Sequence, residues 1–461
     1  VAQLYRVSEQ VICALNPGLS ADNFKIGSTI NIPDNNLATG TDGTNFQGTH
    51  KAKKKETLFS IASLYGITVD ELKAANPKTL QSDYQLKKGD ILNIPFPTPF
   101  TPATSTTAET ATIQTKELSV VHACIVLPFK GGSTQNNQMI EFYRGLLLAV
   151  NDMKEQGISF DISTFDAPAG SSIQKLLSND AFTQADIIFG SPDSLQIAQL
   201  GNFAKEKGKV FVNPFYRWSL QTDVNPNIFT LNPTPKILCA NALKVFQRTF
   251  QNANIILLET TEPMNAFIQN IKDSYVIEKL PFPNSKKEIA AKLQKKKENI
   301  IIPSSSDLRT FNLLQPIVAQ LRTENPNYNI CLFGFPFWQS WAESRTHEFQ
   351  AANTYLFTPF FLNRATGTFQ SFEKKYTDGF KQSLNTNWPP MAVYGYDCAM
   401  HFLRGIAAFG NSFTTQVIYA QPIAYPFNMK KSQAGGGFVN HNVQILHYSP
   451  SNVINCIKAD N

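Results

Sequence analysis

The stretch V-V-H-A-C-I-V-L-P-F, Val120 to Phe129, decides the fold: an apolar run that stops at Pro128 and empties into K-G-G-S-T-Q-N-N at 130–137. A strand buried on both faces of a sheet needs such a continuous run, whereas a strand with one wet face alternates. Downstream, Met139, Tyr143, Leu146, Val150 and Met153 recur at helical spacing, and Gly157 stands where that helix must end. The alternation continues with strand S-F-D-I-S-T-F-D-A (159–167), a short helical piece around Leu176 and Leu177, strand I-I-F-G (187–190), a helix over 194–207 and strand K-V-F-V-N (209–213). Repeated β-α-β units force right-handed crossovers, so the loops at the carboxyl ends of the strands gather on one edge of a parallel sheet. Those loops are K-G-G-S-T, D-A-P-A-G, G-S-P-D-S and N-P-F-Y-R-W.

After N-I-F-T-L-N-P-T-P (227–235) the pattern starts again. A helix over 236–251, strand N-I-I-L-L-E (254–259), a helix around 264–272 and strand S-Y-V-I-E-K-L (274–280) come first. A helix over 285–297, strand N-I-I-I-P (299–303), a helix over 307–323 and strand N-I-C-L-F-G-F (329–335) follow. This is a second doubly wound lobe, and the basic run 292–297 within it reads as a solvated helix face. N-T-Y-L-F-T-P-F-F (353–361), a helix over 369–383 and an apolar helix over 391–409 close the body, while G-G-G-F-V-N-H-N-V-Q-I-L-H-Y-S (435–449) reads as a β-hairpin.

At 461 residues the chain is too long for one core and fits two to four domains. The net charge of +6 is spread thinly, with no basic domain or arginine-rich arm, which argues against nucleic acid and leaves room for weak attraction to an anionic envelope polymer. No apolar run approaches the roughly 20 residues of a bilayer span, so no transmembrane segment is expected. The chain opens without Met and inside a motif, so Val1 is read as a processed or disordered-upstream start with any targeting segment missing. Six cysteines (Cys13, Cys124, Cys239, Cys331, Cys398, Cys456) show no CxxC pair and no His at ligand spacing. Cys124 and Cys331 in apolar strands and Cys398 in an apolar helix read as buried structural thiols rather than disulfides, and neither a metal nor a cofactor is expected.

Residues 1–33 and 49–95 align with each other. A-L-N-P-G-L-S before F-K-I-G-S-T-I-N-I-P matches A-A-N-P-K-T-L before L-K-K-G-D-I-L-N-I-P. In the second copy Leu58, Ile61, Ala62 and Tyr65 make one helical face and Gly66 ends it. Thr68 caps a helix carrying Val69, Leu72 and Ala75, and Ile91, Leu92 and Ile94 form a closing strand. These copies resemble LysM modules, small βααβ units that bind N-acetylglucosamine polymers such as peptidoglycan and chitin. The resemblance implies a sugar groove at Glu56, Thr57 and Leu58 and at Asn76, Pro77, Lys78, Thr79 and Leu80. In the first copy, which begins within its first helix, the groove residues are Asn16, Pro17, Gly18 and Leu19. Where the family has Gly-Asp before Thr57, this chain has Lys55-Glu56, which changes the turn. The expected organisation is a partial module at 1–33, a polar Gly-rich linker at 34–48, a full module at 49–95, a Pro/Thr-rich tether at 96–117 and a body from 118 to 461.

The body, by its order of L-P-F, F-Y-R-G-L-L-L-A-V, I-I-F-G-S-P-D-S, V-F-V-N-P, F-T-L-N-P and V-Y-G-Y-D-C-A, resembles the type 1 periplasmic binding proteins, the fold of branched-chain amino-acid receptors. It also resembles LysM-bearing envelope proteins of Bacteroidetes-like bacteria and, more distantly, outer-membrane lipoproteins that activate peptidoglycan synthases. The fold expected is α/β, with lobe 1 at about 118–235 and 353–415 and lobe 2 at about 236–352 and 416–461. The resemblance implies a ligand cleft between the lobes. Lobe 1 would contribute Lys130, Ser133, Ser191, Asp193, Ser194, Asn213, Phe215, Tyr216 and Trp218, and lobe 2 Thr260, Glu262, Ser304, Ser305, Asp307, Phe335, Phe337 and Trp338. Hydroxyls and helix N-terminal amides suit an anion. Amino-acid receptors also need an acid near the second-lobe turn, yet here that turn is F-G-F-P-F-W-Q-S-W, aromatic and amide throughout.

His50, His122, His347, His401, His441 and His447 are scattered outside any GxSxG or HExxH pattern, and Asp166, Asp193 and Asp307 read as caps or turn residues. No catalysis is expected. The reading is a periplasmic envelope protein, with outer-membrane association left open, that holds peptidoglycan and binds or scaffolds an envelope partner. The alternatives are a receptor for a solute such as an amino acid or muropeptide, and a regulator of wall synthesis or a wall hydrolase.

Overall fold

The computed structural model describes residues 46–52, 58, 61, 69–77, 86–95, 120–216, 220–259, 266–283, 285–385, 387–410 and 421–458. The chain divides into two compact units, Val1–Thr112 and Ile113–Asn461.

In the first unit, β1 (Phe46–Lys51) pairs antiparallel with β2 (Ile91–Pro95), and α1 (Val69–Ala74) lies beside them. Leu92 and Ile94 alternate inward from β2 to meet Ala52, Ile61 and Leu72, with Leu58 and Leu86 at the margin. A core this small needs a polar brace, and Asn76 supplies it. Its Nδ2 donates to the carbonyls of Leu72 (2.8 Å) and Asn93 (2.7 Å), while its Oδ1 accepts from Asn93 N–H (2.7 Å), fastening the end of α1 to β2. The strand expected from residue 49 starts three residues earlier, inside the predicted linker, because Phe46 and Gly48 find partners at Pro95 and Ile94. Thr68, Gly66 and the first copy lie outside the described residues.

The second unit holds two seven-stranded sheets. Sheet I contains β3 (Val121–Leu127), β4 (Phe160–Asp166), β5 (Ile187–Gly190), β6 (Val210–Asn213) and β7 (Ile228–Thr230), all parallel, in the order β4-β3-β5-β6-β7. Sheet II contains β8 (Ala253–Glu259), β9 (Ile277–Pro281), β10 (Glu298–Pro303), β11 (Asn329–Gly334) and β12 (Thr354–Thr358), parallel in the equivalent order β9-β8-β10-β11-β12. Two lobes therefore repeat one topology, as the alternation of runs predicts. The helices that place the cleft are α2 (Thr134–Glu155), α3 (Ser194–Lys207), α4 (Pro235–Thr249), α5 (Ala266–Lys272), α6 (Leu308–Glu324), α7 (Gly367–Phe380) and α8 (Met391–Phe409).

Lobe membership differs from the sequence expectation at the end of the chain. Residues 354–358 form the fifth parallel strand of sheet II, not part of lobe 1. Conversely, β13 (Met429–Lys431) and β14 (Phe438–Asn440) extend sheet I, because β14 adds in parallel beside β7. β15 (Gln444–Tyr448) then pairs antiparallel with β12 in sheet II and with β16 (Ile454–Lys458). The predicted hairpin over 435–449 is thus a crossing between lobes; the hairpin is β15–β16, turning at Asn452 with φ 62°. The main chain passes between lobes three times, after β7, β12 and β14.

Lobe 1 is centred on α2 packed against α8. Phe142, Leu146, Ala149 and Met153 on one side meet Val393, Ala399, Phe402 and Ile406 on the other in one buried cluster. The close approach depends on two glycines, since a Cβ at Gly145 would lie 1.7 Å from the Ala392 carbonyl oxygen and one at Gly395 would lie 1.9 Å from that of Phe142. α7 is tied to α2 by polar staples: Tyr376 donates to Glu141 (2.6 Å) and Lys375 to Asp152 (2.7 Å). Lobe 2 buries an aromatic stack of Phe246, Phe267, Phe333 and Phe357 between sheet II and its helices.

Candidate functional site

A cavity of about 720 Å³ lies between the two lobes, within the ordinary range for small-ligand pockets of about 300–1,000 Å³. Lobe 2 supplies Leu238 and Cys239 from α4, Ser306 after β10, and the turn Phe335-Pro336-Phe337 after β11. Lobe 1 supplies Gln135, Gln138 and Met139 from α2, Pro192 and Phe215 from loops after β5 and β6, and Met391 and Tyr394 from α8. The floor is made where the chain crosses, by Phe357, Thr358, Pro359, Phe360 and Tyr425. Among the described residues no charged side chain lines it.

The aromatic walls are built as one ladder. Phe360 stacks on Tyr425 at 4.2 Å, and Tyr425 meets Tyr394 at 4.4 Å. Tyr394 in turn donates to the Pro214 carbonyl at 2.6 Å, fixing the ring against the loop after β6. Phe142 edges onto both Tyr394 and Phe215, so the α2–α8 crossing carries the ladder. At the mouth, Phe337 from lobe 2 and Trp388 from lobe 1 touch edge to face at 6.3 Å, and they are 54% and 36% exposed.

A buried carboxylate holds the floor in place. Asp397, on α8, accepts from the backbone N–H groups of Ile423, Ala424 and Tyr425, each at 2.8 Å. Burial pushes its pKa up to about 7 even though those three hydrogen bonds favour the ionised form. Tyr425 is held from its backbone side, and its hydroxyl is buried without a hydrogen-bond partner among the described residues.

Among the described residues, only Phe215, Phe335 and Phe337 of the sequence-predicted cleft residues reach the cavity. Lys130 stands in solvent beside Asp166, 3.7 Å away. Ser133 caps α2, accepting from Asn136 N–H. Ser191 is buried and donates to Gln196 (2.6 Å), and Ser194 is the first residue of α3. Asp193 caps α3 and also accepts from Gly170 N–H (2.7 Å). Asn213 braces its own turn by accepting from Tyr216 N–H (3.1 Å), which leaves the Tyr216 ring in solvent. In lobe 2, Ser304 is buried, Ser305 donates to Asp307, and Asp307 caps α6 through Thr310 N–H (2.8 Å). Burial raises the Asp307 pKa, but the bonds from Ser305 and Thr310 outweigh it and hold the carboxyl below its usual range. Trp338 is core. Its ring lies where a Cβ on Gly334 would be, and its Nε1 donates to the Ser306 carbonyl (3.0 Å). Trp218, Thr260 and Glu262 lie outside the described residues.

The expectation that helix N-termini at this edge suit an anion is therefore corrected for α3 and α6. Their free amides are already taken by the chain's own carboxylates, and an incoming anion would meet Asp193 and Asp307. Asp166 is likewise spent on the N–H groups of Phe129 and Lys130. The sequence reasoning missed Phe360, Trp388, Tyr394 and Tyr425, which come from segments far from the β-α-β loops; Y-G-Y-D-C-A, carrying Tyr394 and Asp397, was the one signal that pointed there.

In the first unit, Asn76 is buried and its amide is used internally, Pro77 is exposed and Leu58 is half-buried. Glu56, Thr57, Lys78, Thr79, Leu80, Asn16, Pro17, Gly18 and Leu19 lie outside the described residues. Among the cysteines, Cys124, Cys239, Cys331 and Cys398 are buried free thiols and Cys456 is an exposed one. No helix among the described residues is long and apolar enough to cross a membrane.

The LysM domain family matches residues 1–33 and 50–95. No curated protein sequence matches the chain. Solved structures similar to it include a Rhodospirillum rubrum protein assigned to a branched-chain amino acid ABC transporter, at 13% identity over 73% of this chain and 99% of that one, TM-score 0.49. Another is a branched-chain amino acid ABC transporter periplasmic ligand-binding protein from Burkholderia xenovorans, at 12% identity over 73% and 94%, TM-score 0.45. A third is full-length LpoA from Haemophilus influenzae, at 12% identity over 75% of this chain and 60% of that one, TM-score 0.47. The chain thus carries LysM-domain sequence at residues 1–33 and 50–95, followed by a two-lobed α/β body whose two sheets repeat one strand order.

Proposed function

We propose that this is a non-catalytic protein of the cell envelope, located in the periplasm. Its LysM modules hold peptidoglycan, while its two-lobed body binds another envelope component through the cleft. The observation that carries the reading is the pairing of a glycan-binding type of module, present in two copies, with a body whose interlobe cavity presents rings, prolines and amides. The sugar would contact Glu56, Thr57, Leu58, Pro77, Lys78, Thr79 and Leu80, next to the Asn76 amide that fastens the end of α1 to β2. In the cleft, the ladder of Phe360, Tyr425 and Tyr394 suits the flat face of an uncharged ring or an apolar side chain. A charged ligand would lose its hydration there without finding a counter-charge among the described lining residues.

Co-sedimentation with purified sacculi tests the wall-binding half. The full chain is expected to pellet with the sacculi, to be released by soluble N-acetylglucosamine oligomers, and to stay in the supernatant once residues 1–95 are removed. Equal pelleting of the shortened chain would refute glycan holding by the modules.

A further inference from the structure

A second cavity, of about 400 Å³, opens at the other end of sheet II. The cleft is reached from the carboxyl ends of β10, β11 and β12, at Ser306, Phe335 and Thr358, whereas this cavity is lined by Glu298 and Asn329, the first residues of β10 and β11, and by Tyr355 near the start of β12. In a parallel sheet those are opposite edges, so the two cavities are separate.

Its two charged groups have no ion-pair partner among the described residues. Glu298 makes no side-chain hydrogen bond and no ion pair among the described residues, and its Oε2 is buried. Arg322, on α6, lines the same cavity and donates from Nη1 to the Ala351 carbonyl at 2.7 Å; it has no carboxylate within ion-pair distance among the described residues. Elsewhere on this body opposite charges that come near one another do pair, as at Lys286–Glu324 (2.6 Å) and Lys292–Glu278 (2.9 Å). The wall between them is rigid. Tyr355 lies flat on His447 at 3.9 Å and meets Phe250 at 5.0 Å, while His447 and Asn353 are joined at 2.7 Å.

A half-buried charge without an ion-pair partner costs free energy, and here an anion and a cation in the lining of one cavity both bear that cost. Water can relieve each singly, but a molecule carrying both charges relieves them together. The guanidinium fork suits a carboxylate and a carboxylate accepts well from an ammonium. We infer that this cavity is a binding site for a small zwitterion, with its ammonium on Glu298 and its carboxylate on Arg322.

The test is calorimetric titration of the full chain at neutral pH with glycine, β-alanine and γ-aminobutyrate, which step the separation between the two charges, against acetate and methylamine, which carry one charge each. At least one zwitterion is expected to bind with one-to-one stoichiometry and at least tenfold more tightly than either single-charge compound. Glu298→Gln keeps the shape of the side chain and is expected to fold and to weaken that binding tenfold or more, as is Arg322→Met. Phe337→Ala, in the cleft, should leave it unchanged. Absence of binding by all three zwitterions, equal binding of acetate or methylamine, or retention of full affinity in Glu298→Gln would overturn the assignment. Loss of affinity in Phe337→Ala would place the ligand in the cleft instead and overturn it as well.

Discussion

The two ends of sheet II differ in how their polar groups are used. At the carboxyl end, where an α/β sheet ordinarily meets its ligand, nearly every polar side chain is occupied with the fold. Asp307 and Ser305 cap a helix, and the Trp338 indole is bonded to a loop carbonyl. What this end turns to the cavity is mainly Phe335, Pro336, Phe337 and Phe357, with Ser306 and Thr358 as its polar members. At the amino end, where loops usually serve only to connect, Glu298 and Arg322 have no ion-pair partner among the described residues. The lesson is that the chemistry of an edge depends on which groups remain after the backbone has taken its share, and residue type in a loop does not reveal that.

The comparison is most severely tested at the support of the cleft. Gly145→Ala should destabilise the protein most, by about 3 kcal/mol or more, because the new Cβ meets backbone rather than a side chain that could turn aside. Thermal denaturation would read this, and an unchanged midpoint would mean that the α2–α8 crossing does not carry the lobe.

Asp397→Asn comes next. The replacement turns an amide N–H₂ or a single oxygen toward three N–H groups that now share a carboxylate, leaving one or two buried donors unsatisfied at about 1–3 kcal/mol. The pH dependence has a definite sign. A folded pKa raised from 3.8 to about 7 means that the protonated form is favoured by folding, so the contribution is complete below about pH 4 and is lost as pH rises through 7. The natural protein should therefore lose stability between about pH 4 and 7 relative to Asp397→Asn, and the gap between the two should narrow as pH rises.

Glu298→Gln sharpens the contrast from the other side. Burial raises the Glu298 pKa, so its charged form is a burden at neutral pH, and the neutral amide should raise the melting temperature there while changing little in acid. A fall at neutral pH would show that the carboxylate is already satisfied. The smallest effect belongs to the mouth. Phe337 is more than half exposed, so Phe337→Ala should shift stability by no more than about 0.5 kcal/mol while changing the emission of Trp388, which it touches.

The architecture was largely legible in the residues. Continuous apolar runs marked buried parallel strands, and the second lobe could be read because the same alternation recurs from Asn254. Lobe membership after residue 352 was not, because T-Y-L-F-T and F-V-N look alike as strands and only the free edge of each sheet decides which lobe takes them. The hairpin at 435–449 failed for the same reason: short strands adjacent in sequence pair with whatever edge is open. Of the candidate site, Phe335 and Phe337 were visible as aromatic residues in the loop that follows a buried strand, where a ligand contact, a partner contact and internal packing were all open uses. Ser, Asn and Asp in the β-α-β loops were misleading, because those residue types serve as helix caps as readily as ligand groups. Tyr394 and Tyr425 could not be placed from sequence, as they are brought to the cleft by the α2–α8 crossing and by Asp397.

The central claim, that the cleft receives an uncharged ring, is tested most directly by titrating the full chain with Nile red, a neutral, flat and fluorogenic probe. The account predicts saturable, blue-shifted emission that is weakened in Trp388→Ala and displaced by neutral aromatic compounds but not by leucine. Displacement by leucine, or no saturable binding at all, would contradict it.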